Sequence, residues 1–236
     1  LVPNFTVVQY GISNLISIRG VGGGGRNIGF DTRAGVYLDG VYMGQVPALE
    51  SPLLEIDQIE VLRGPQGYLF GRNTVAGAVN ITTRGPTQDF EGYFRTGFGN
   101  HHSRENFAGV SGPIAEDLLG RISFGAESHN GFIGNSFNGN DIKDLGRLST
   151  RGQVSYRASN QLKIDVSGDY SRVHQSDFEG GAVTGLFDAP LIGGADVRRA
   201  INFNDLPLIN TRLSGVNLTA NYDMLDGGKL TSITGY

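Results

Sequence analysis

The chain has 236 residues, of which 37 are glycine, and a formal net charge of −4 from 19 basic and 23 acidic side chains. Glycine is roughly twice as frequent as the ~7% of an average protein, which argues against a helical bundle, and the negative net charge argues against nucleic-acid binding. The absence of cysteine excludes disulfides and thiolate metal sites, and no apolar run is long enough for a transmembrane helix, although a membrane β-barrel requires none.

Up to about residue 86 the sequence predicts short strands separated by glycine and proline. The predicted strands are Ile16–Gly20, Val36–Leu38, Val41–Met43, Ile56–Leu62 and Ala78–Thr83. Asp39-Gly40 separates two of them and predicts a tight hairpin, because both residues of such a turn need a positive φ. Leu53–Glu55 is expected to form one helical turn after Pro52. These elements together indicate a small mixed α/β unit.

From residue 90 onward, apolar and polar residues alternate strictly over about seven segments of roughly ten residues each. One face of the predicted sheet presents apolar side chains to lipid: Phe94, Phe124, Val154, Ile164 and Leu218. The other face points inward and is polar: Arg95, Arg121, Arg151, Asp165 and Asn217. Transmembrane barrels alternate in this way, and so do soluble antiparallel sandwiches.

The connections favour the barrel. Short turns at Ser159-Asn160 and 226–228 alternate with long connections near 129–146 and 174–214, as in outer-membrane barrels. The brief loop Asn100–Ser103 is the exception. Soluble sandwiches rarely carry a structureless connection of ~40 residues. A barrel wide enough to enclose a unit the size of residues 1–85 needs about 22 strands. We therefore expect the sequence to be a piece of a longer chain.

Five segments, in a fixed order, resemble the plug domain of TonB-dependent outer-membrane receptors. They are IRGV (18–21), VYLDGVY (36–42), IEVLRGPQG (59–67), FGRN (70–73) and GAVNI (77–81). The resemblance is dense over residues 1–86, whereas residues 90–236 resemble the first barrel strands of that family in pattern only. Tyr68 stands where a small residue is commoner in the family, and Ala76 replaces one glycine of a usual pair.

The resemblance implies a β-rich membrane protein. Residues 1–86 would form a small α/β plug. Residues 87–236 would form about seven strands, the first ones of a nominally 22-stranded antiparallel transmembrane β-barrel. In this Gram-negative family the plug fills the lumen of an outer-membrane barrel, and the TonB–ExbB–ExbD complex uses the proton-motive force to release it. The family's TonB box has no counterpart in the sequence.

The implied function is active uptake of a scarce nutrient, most simply a ferric siderophore. Cobalamin, oligosaccharides and other nutrients are alternatives within the family. No covalent chemistry is implied, so no catalytic residue, metal site or intrinsic cofactor is expected. Two rival classes remain open, namely a passive porin or adhesin barrel and a secreted glycine-rich β protein.

Two outer apices of the plug are where the family binds its ligand. The corresponding residues are Arg26, Asn27, Phe30, Asp31 and Arg33 on one apex, and Tyr42, Gln45 and Val46 on the other. Ordinary hairpin packing is the alternative role for the second group.

Anchoring of plug to barrel is implied for Arg19 and Arg63, which would pair with acidic residues of the barrel wall. Candidate acids within the sequence are Glu91, Glu105 and Glu127. Solvation of both arginines in a wet lumen is the alternative.

Two other patterns predict no site. Gly20–Gly25 matches a nucleotide-binding glycine pattern, but no helix follows to meet a pyrophosphate, so we interpret it as a flexible loop. His101-His102 supplies two of the three or four ligands that a zinc site needs, so we interpret it as loop polarity.

Overall fold

A computed structural model describes residues 2–10, 13–22, 33–44, 54–135, 137–176, 200–201, 204 and 208–236. Within these ranges nearly all regular structure is strand, and the one helix, α1 (Gly67–Phe70), has four residues. No helix in the described part combines the length and the hydropathy needed to cross a membrane.

The first part of the chain, which we call the N-terminal unit (described residues from 2 to 84), contains two small sheets. One is antiparallel and consists of β1 (Phe5–Tyr10), β2 (Ser13–Ile18) and β3 (Val21–Gly22). The other has the order β5-β4-β7-β6 and consists of β4 (Ala34–Leu38), β5 (Val41–Tyr42), β6 (Ile56–Arg63) and β7 (Gly77–Thr83). Strands β4 and β7 are parallel, so this sheet is mixed. Its core is aliphatic: Ile16, Ile18, Ala34, Val36, Ala76, Val79 and Ile81.

The Asp39-Gly40 hairpin predicted from the sequence is confirmed. It joins β4 to β5 with φ values of 48° at Asp39 and 81° at Gly40. The backbone N–H and the hydroxyl of Thr83 each donate to the Asp39 carboxylate at 2.8 Å. These bonds tie the hairpin tip to the end of β7.

The helical turn predicted for Leu53–Glu55 is wrong in its described part. Leu54 and Glu55 form a turn in which Glu55 has a φ of 60°, which a right-handed helix does not permit. The short helix α1 lies instead in the glycine- and proline-rich motif. It is stabilised by a contact distant in sequence, because the Tyr37 hydroxyl donates to the Phe70 carbonyl and the two rings pack with centroids 4.8 Å apart.

The remaining described chain forms ten strands. They are β8 (Glu91–Phe98), β9 (Arg104–Ala115), β10 (Leu118–His129), β11 (Ile133–Asn135), β12 (Asp141–Ile142), β13 (Leu145–Arg157), β14 (Leu162–Ser176), β15 (Ala200–Ile201), β16 (Leu208–Asp223) and β17 (Lys229–Gly235). Seven of them form one antiparallel sheet, the large sheet, with the order β17-β16-β14-β13-β10-β9-β8. Each long strand pairs with the long strand that precedes it and with the one that follows it in the sequence, so the sheet is a series of hairpins.

The register confirms that the large sheet has two different faces. Residues directly opposite on neighbouring strands share a face, and Phe94, Ala108, Phe124 and Thr150 are opposite one another in turn. All five side chains predicted to be apolar and outward lie on this face, and all five predicted to point inward lie on the other. The N-terminal unit contacts the polar face.

The connections differ at the two ends of the large sheet. At one end, residues 116–117, 158–161 and 224–228 make short turns. At the other end, a short connection runs over 99–103 and longer connections run over 130–144 and 177–207. Strands β11, β12 and β15 belong to this second end, where they form a separate three-stranded sheet.

Gly77 is the position in the N-terminal unit that tolerates a side chain least. Its φ is 147°, and a Cβ there would lie 2.1 Å from the carbonyl oxygen of Leu62 and 2.9 Å from Ile18. We expect Gly77→Ala to push β6 and β7 apart and to destabilise the unit by about 1–3 kcal/mol. Limited proteolysis of the purified protein, followed by mass spectrometry, measures the opening of this unit.

Gly85→Ala is the matched control, because a Cβ at Gly85 meets no atom within 4 Å. Equal rates of cleavage for both variants would contradict the assigned role of Gly77.

Candidate functional site

Most ligand-contacting residues predicted from the sequence lie outside the described residues: Arg26, Asn27, Phe30, Asp31, Gln45 and Val46. Arg33 and Tyr42 are described. Arg33 is exposed just before β4, and its carbonyl oxygen accepts the N–H of Ala76 at 2.9 Å. This backbone contact fixes the start of β4, while the side chain of Arg33 lies at the surface.

Tyr42 is half-buried and packs within the N-terminal unit. Its hydroxyl accepts the side-chain amide of Asn73 at 2.8 Å, and its ring lies 5.5 Å from that of Tyr37. Burial, and secondarily the neighbouring Tyr42, raises the pKa of Tyr37. The Tyr37 hydroxyl therefore stays protonated at physiological pH and keeps donating to Phe70.

A cavity of about 530 Å³ lies between the β4–β5 hairpin and the large sheet, beside the place where the hairpin tip contacts the sheet. Leu38, Tyr42 and Met43 line it on the side of the hairpin, and Arg151 and Asp169 line it on the side of the sheet. Its volume lies within the ~300–1,000 Å³ of small-molecule sites. The sheet side combines the ion pair of Arg151 and Asp169 with apolar residues such as Leu213 and Val216, so the cavity suits a ligand that has both charged and apolar surface.

Two ionic clusters join the N-terminal unit to the large sheet. The first, the Glu55 cluster, consists of Glu55, Glu91, Tyr93, Arg121 and Ser123. Arg121 donates to Glu55 at 2.5 Å and also to Glu91. The hydroxyls of Tyr93 (2.5 Å) and Ser123 (3.1 Å) donate to the other oxygen of Glu55. The side chains of Glu55 and Arg121 are each 4% exposed, so this pair is shielded from water.

The second, the Asp39 cluster, consists of Asp39, Thr83, Arg151, Gln153 and Asp169. Arg151 donates to Asp39, and it donates to Asp169 at 2.5 Å. Thr83 accepts from Arg151 at 3.1 Å and from Gln153 at 3.2 Å. The side chain of Arg151 is 3% exposed, so its charge is compensated almost wholly by these partners.

The two clusters share one arrangement. In each, a buried arginine of the large sheet holds one carboxylate from the N-terminal unit and one from its own sheet. Such charge-assisted bonds are roughly twice as strong as neutral ones, and a buried arginine without a carboxylate would be strongly destabilising. The two arginines therefore hold the N-terminal unit against the polar face.

The charges run opposite to the anchoring predicted from the sequence. Arg19 and Arg63 are exposed, in a turn and at the end of β6, and among the described residues neither forms an ion pair. Glu91 and Glu127, two of the candidate wall acids, pair with arginines of the large sheet. Anchoring through Arg19 and Arg63 stays a prediction.

The sequence pattern places Arg121 and Arg151 on the inward face but gives no role to Glu55 or Asp39. Both acids lie in turns, where no periodicity indicates which surface a side chain meets. The sequence indicates only that two inward-facing arginines need carboxylate partners. It does not indicate which acids those partners are.

The histidine pair lies in the connection between β8 and β9. A ring nitrogen of His102 lies 3.3 Å from the amide of Asn130, and the ring of His101 packs 5.5 Å from that of Phe132. Over the described ranges, no group of three or more His, Asp or Glu side chains is arranged to hold a metal ion.

Comparison with known proteins identifies the N-terminal unit. Residues 2–78 match the family model of the TonB-dependent receptor plug domain. The chain is 30% identical over 149 residues to the pesticin receptor of Yersinia pestis, covering 62% of this chain and 21% of that protein. It is 32% identical over 133 residues to the iron-regulated outer membrane virulence protein of Vibrio cholerae, covering 50% of this chain and 20% of that protein.

The fold is similar over its whole length to a solved structure. The ferric yersiniabactin uptake receptor of Yersinia pestis superposes with a TM-score of 0.82 at 20% identity, covering 100% of this chain and 36% of that one. The chain spans about a fifth of the length of the curated relatives it matches. The plug-domain match and the hairpin sheet that holds this unit lead to one conclusion: residues 2–78 are a plug domain of the kind found in TonB-dependent receptors, and the whole chain shares its fold with a solved uptake receptor.

Proposed function

We propose that the chain contributes to an outer-membrane receptor that actively takes up a scarce nutrient, and that the nutrient is a ferric siderophore. In this proposal the N-terminal unit is the plug and the large sheet is part of the barrel wall. The observation that carries the proposal is a matched plug domain held by buried ion pairs on the polar face of a sheet whose other face is apolar. That apolar face meets lipid in the outer membrane.

The domain boundaries are part of the proposal. Residues 1–86 form the plug, and residues 87–236 form the first seven strands of the barrel. The passage from β7 to β8 lies at this boundary, and the relatives are about five times as long as the matched sequence. In lipid the two edges of the sheet need partner strands, which further strands of the receptor supply.

Iron is favoured as the cargo by the names of the relatives, one of which is an iron-regulated outer membrane protein. The cavity beside Tyr42 supports an organic complex rather than a bare ion, because apolar side chains and an ion pair line it together. The ligand brings its own metal, so the receptor itself needs no cofactor. Cobalamin and oligosaccharides are the alternatives within the family.

Uptake proceeds by movement of the plug and without covalent chemistry, so we assign no catalytic residue. Energy comes from the TonB–ExbB–ExbD complex, which pulls on a segment of the receptor. A passive porin or adhesin is disfavoured, because a domain that two buried ionic clusters hold inside the barrel would block a freely conducting pore. A secreted soluble protein is disfavoured by the exposed aromatic side chains Phe94 and Phe98 on the outer face.

Release of the plug follows from how the clusters are paired. When the plug moves, Glu55 and Asp39 leave, but Arg121 keeps Glu91 and Arg151 keeps Asp169. The wall acids are more exposed than the arginines they hold, so water reaches the remaining pairs readily. The contact is therefore strong at rest and separable without an uncompensated buried cation.

Growth under iron limitation tests the function. In a strain without its own ferric-siderophore receptors, the complete reading frame should restore growth on at least one of a hydroxamate, a catecholate and a phenolate siderophore. Deletion of TonB should abolish the effect. Growth restored by cobalamin or an oligosaccharide, but by no siderophore, would change the assigned nutrient, and TonB-independent entry would indicate a porin.

The two plug apices are expected to bind the ligand. In the complete receptor, Arg26→Ala combined with Gln45→Ala should raise the dissociation constant of the transported complex about tenfold, because a charge-assisted contact contributes ~1.5–3 kcal/mol. Isothermal titration of the purified receptor measures this change. Identical affinity of the double variant, at equal membrane levels, would place recognition on the barrel loops.

Glu55 is expected to hold the plug in place. Glu55→Gln removes the charge from the most deeply buried pair, so plug seating should weaken by about 1.5–3 kcal/mol, seen as larger leak currents in planar bilayers. Glu60→Gln is the control, because Glu60 lies on β6 and is exposed. Unchanged leak for Glu55→Gln would show that the cluster does not hold the plug.

The same recording tests the anchoring predicted for Arg63. Arg63→Ala should increase the leak if a wall acid outside the described residues pairs with it. Conductance equal to that of the unmodified receptor would indicate a solvated cation.

A further inference from the structure

Three arginines interrupt the apolar face of the barrel wall near the end that carries the long connections. Arg104, Arg172 and Arg212 lie on β9, β14 and β16, and all three are exposed. They share a face with Phe124 and Val154, not with the plug-binding arginines. They therefore project from the side of the sheet that meets the membrane.

The register gives their height on that face. Phe94, Phe124 and Tyr170 form one aromatic row across the sheet. Arg172 lies two residues beyond Tyr170 on the same strand, roughly 7 Å further along. Aromatic rows of this kind mark the boundary between hydrocarbon and headgroups in outer-membrane barrels. The arginines thus lie just beyond the hydrocarbon core of the membrane, at the height of the headgroups. The long connections identify this end of the sheet as the extracellular one.

In the described part of the chain, these arginines have no carboxylate partner. Arg172 and Arg212 are directly opposite each other, an arrangement of like charges that destabilises a sheet. The two outward rows at this height contain no Asp or Glu; their members are Thr96, Phe98, Arg104, Asn106, Ala126, Ser128, Gly146, Leu148, Arg172, His174, Asn210 and Arg212. No described acid forms an ion pair with any of the three arginines.

On the inner face of the same sheet, the exposed Arg95 and Arg157 also form no ion pair among the described residues, whereas the buried and half-buried arginines are paired. Arg121, Arg147 and Arg151 each pair with at least one carboxylate there. Among the described residues, the outer arginines lack the carboxylate that the sheet provides to its shielded inner arginines, so an anion from the surroundings can supply the partner.

A groove of about 420 Å³ runs between Arg104 and Arg172. Small residues, Ala126 and Gly146, lie between the two cations, and His174 borders the groove beside Arg172. The ring of His174 makes a 2.7 Å hydrogen bond with Asn210. Glu127 and Arg147 also line the groove, but they belong to the inner face and pair with each other, so Arg104 and Arg172 are its arginines without an ion pair among the described residues. Such a groove accepts a compact anion next to apolar surface.

We propose that Arg104, Arg172 and Arg212 bind the phosphate groups of a lipopolysaccharide molecule whose acyl chains lie on the apolar face below them. The inference rests on the outer-membrane location proposed above. A phosphorylated glycolipid fits because it carries its phosphates at the upper limit of its acyl chains, the height at which the arginines lie. Basic pockets beside membrane-spanning segments bind anionic headgroups by the same physics, and arginine binds phosphate through two parallel hydrogen bonds.

Native mass spectrometry of the complete receptor in nonionic detergent tests the proposal. The probes are hexa-acylated lipid A with both phosphates and the same lipid without phosphate. The double variant Arg172→Gln with Arg212→Gln should bind phosphorylated lipid A at least tenfold more weakly than the unmodified receptor. Arg157→Gln is the matched control, because Arg157 is exposed on the inner face near the opposite end of the sheet and should leave binding unchanged.

Three results would overturn the proposal. One is equal binding by the double variant, another is equal binding of dephosphorylated lipid A, and the third is displacement of the lipid by millimolar inorganic phosphate, which would indicate a site for free anions. If the double variant does not fold, Arg104→Gln and the comparison of the two lipids on the unmodified receptor decide the question. A receptor for another nutrient would still bind lipid A, so failure of the siderophore assignment does not affect this result.

Discussion

Arg121 and Arg151 carry their charges at positions that are almost closed to water, and the seating of the plug depends on how those charges are compensated. A buried guanidinium with no carboxylate costs several kcal/mol, so each arginine fixes the position of every acid around it. The sheet itself supplies one acid to each arginine, and the plug supplies the other. Two such contacts at separate places set both the position and the orientation of the plug.

The plug acids are placed so that they do not disturb the plug's own sheet. Asp39 lies at the tip of the β4–β5 hairpin and Glu55 lies in the turn that precedes β6, both with positive φ. Turn residues donate few ladder hydrogen bonds, so their side chains can serve the interface while the neighbouring strands remain intact. The hydrogen bond that the Thr83 hydroxyl donates to Asp39 then joins this tip to the last strand of the plug.

The alternation of apolar and polar residues was enough to predict the two faces of the large sheet, because the side-chain period of a strand is two and every hairpin preserves it. Asp39-Gly40 predicted its turn for an equally local reason. The pairing of Glu55 with Arg121 spans 66 residues and that of Asp39 with Arg151 spans 112, and no local pattern encodes such a contact. Helix α1 was not predicted from the sequence, because the contact that stabilises it is also distant in sequence: Tyr37 of β4 donates to Phe70.

The distribution of charge between plug and wall has a direct consequence for movement. A plug that carried the arginines would leave buried carboxylates on the wall and would itself move long, strongly charged side chains past other acids. Here the arginines belong to the wall, each already paired with Glu91 or Asp169, and in the proposed movement only two short acidic side chains leave. Breaking a buried pair is usually severe because one charge stays behind uncompensated. A second carboxylate on the wall removes that penalty, so in the proposed transport cycle a contact strong enough to hold the plug at rest can still be opened by a pull on the plug.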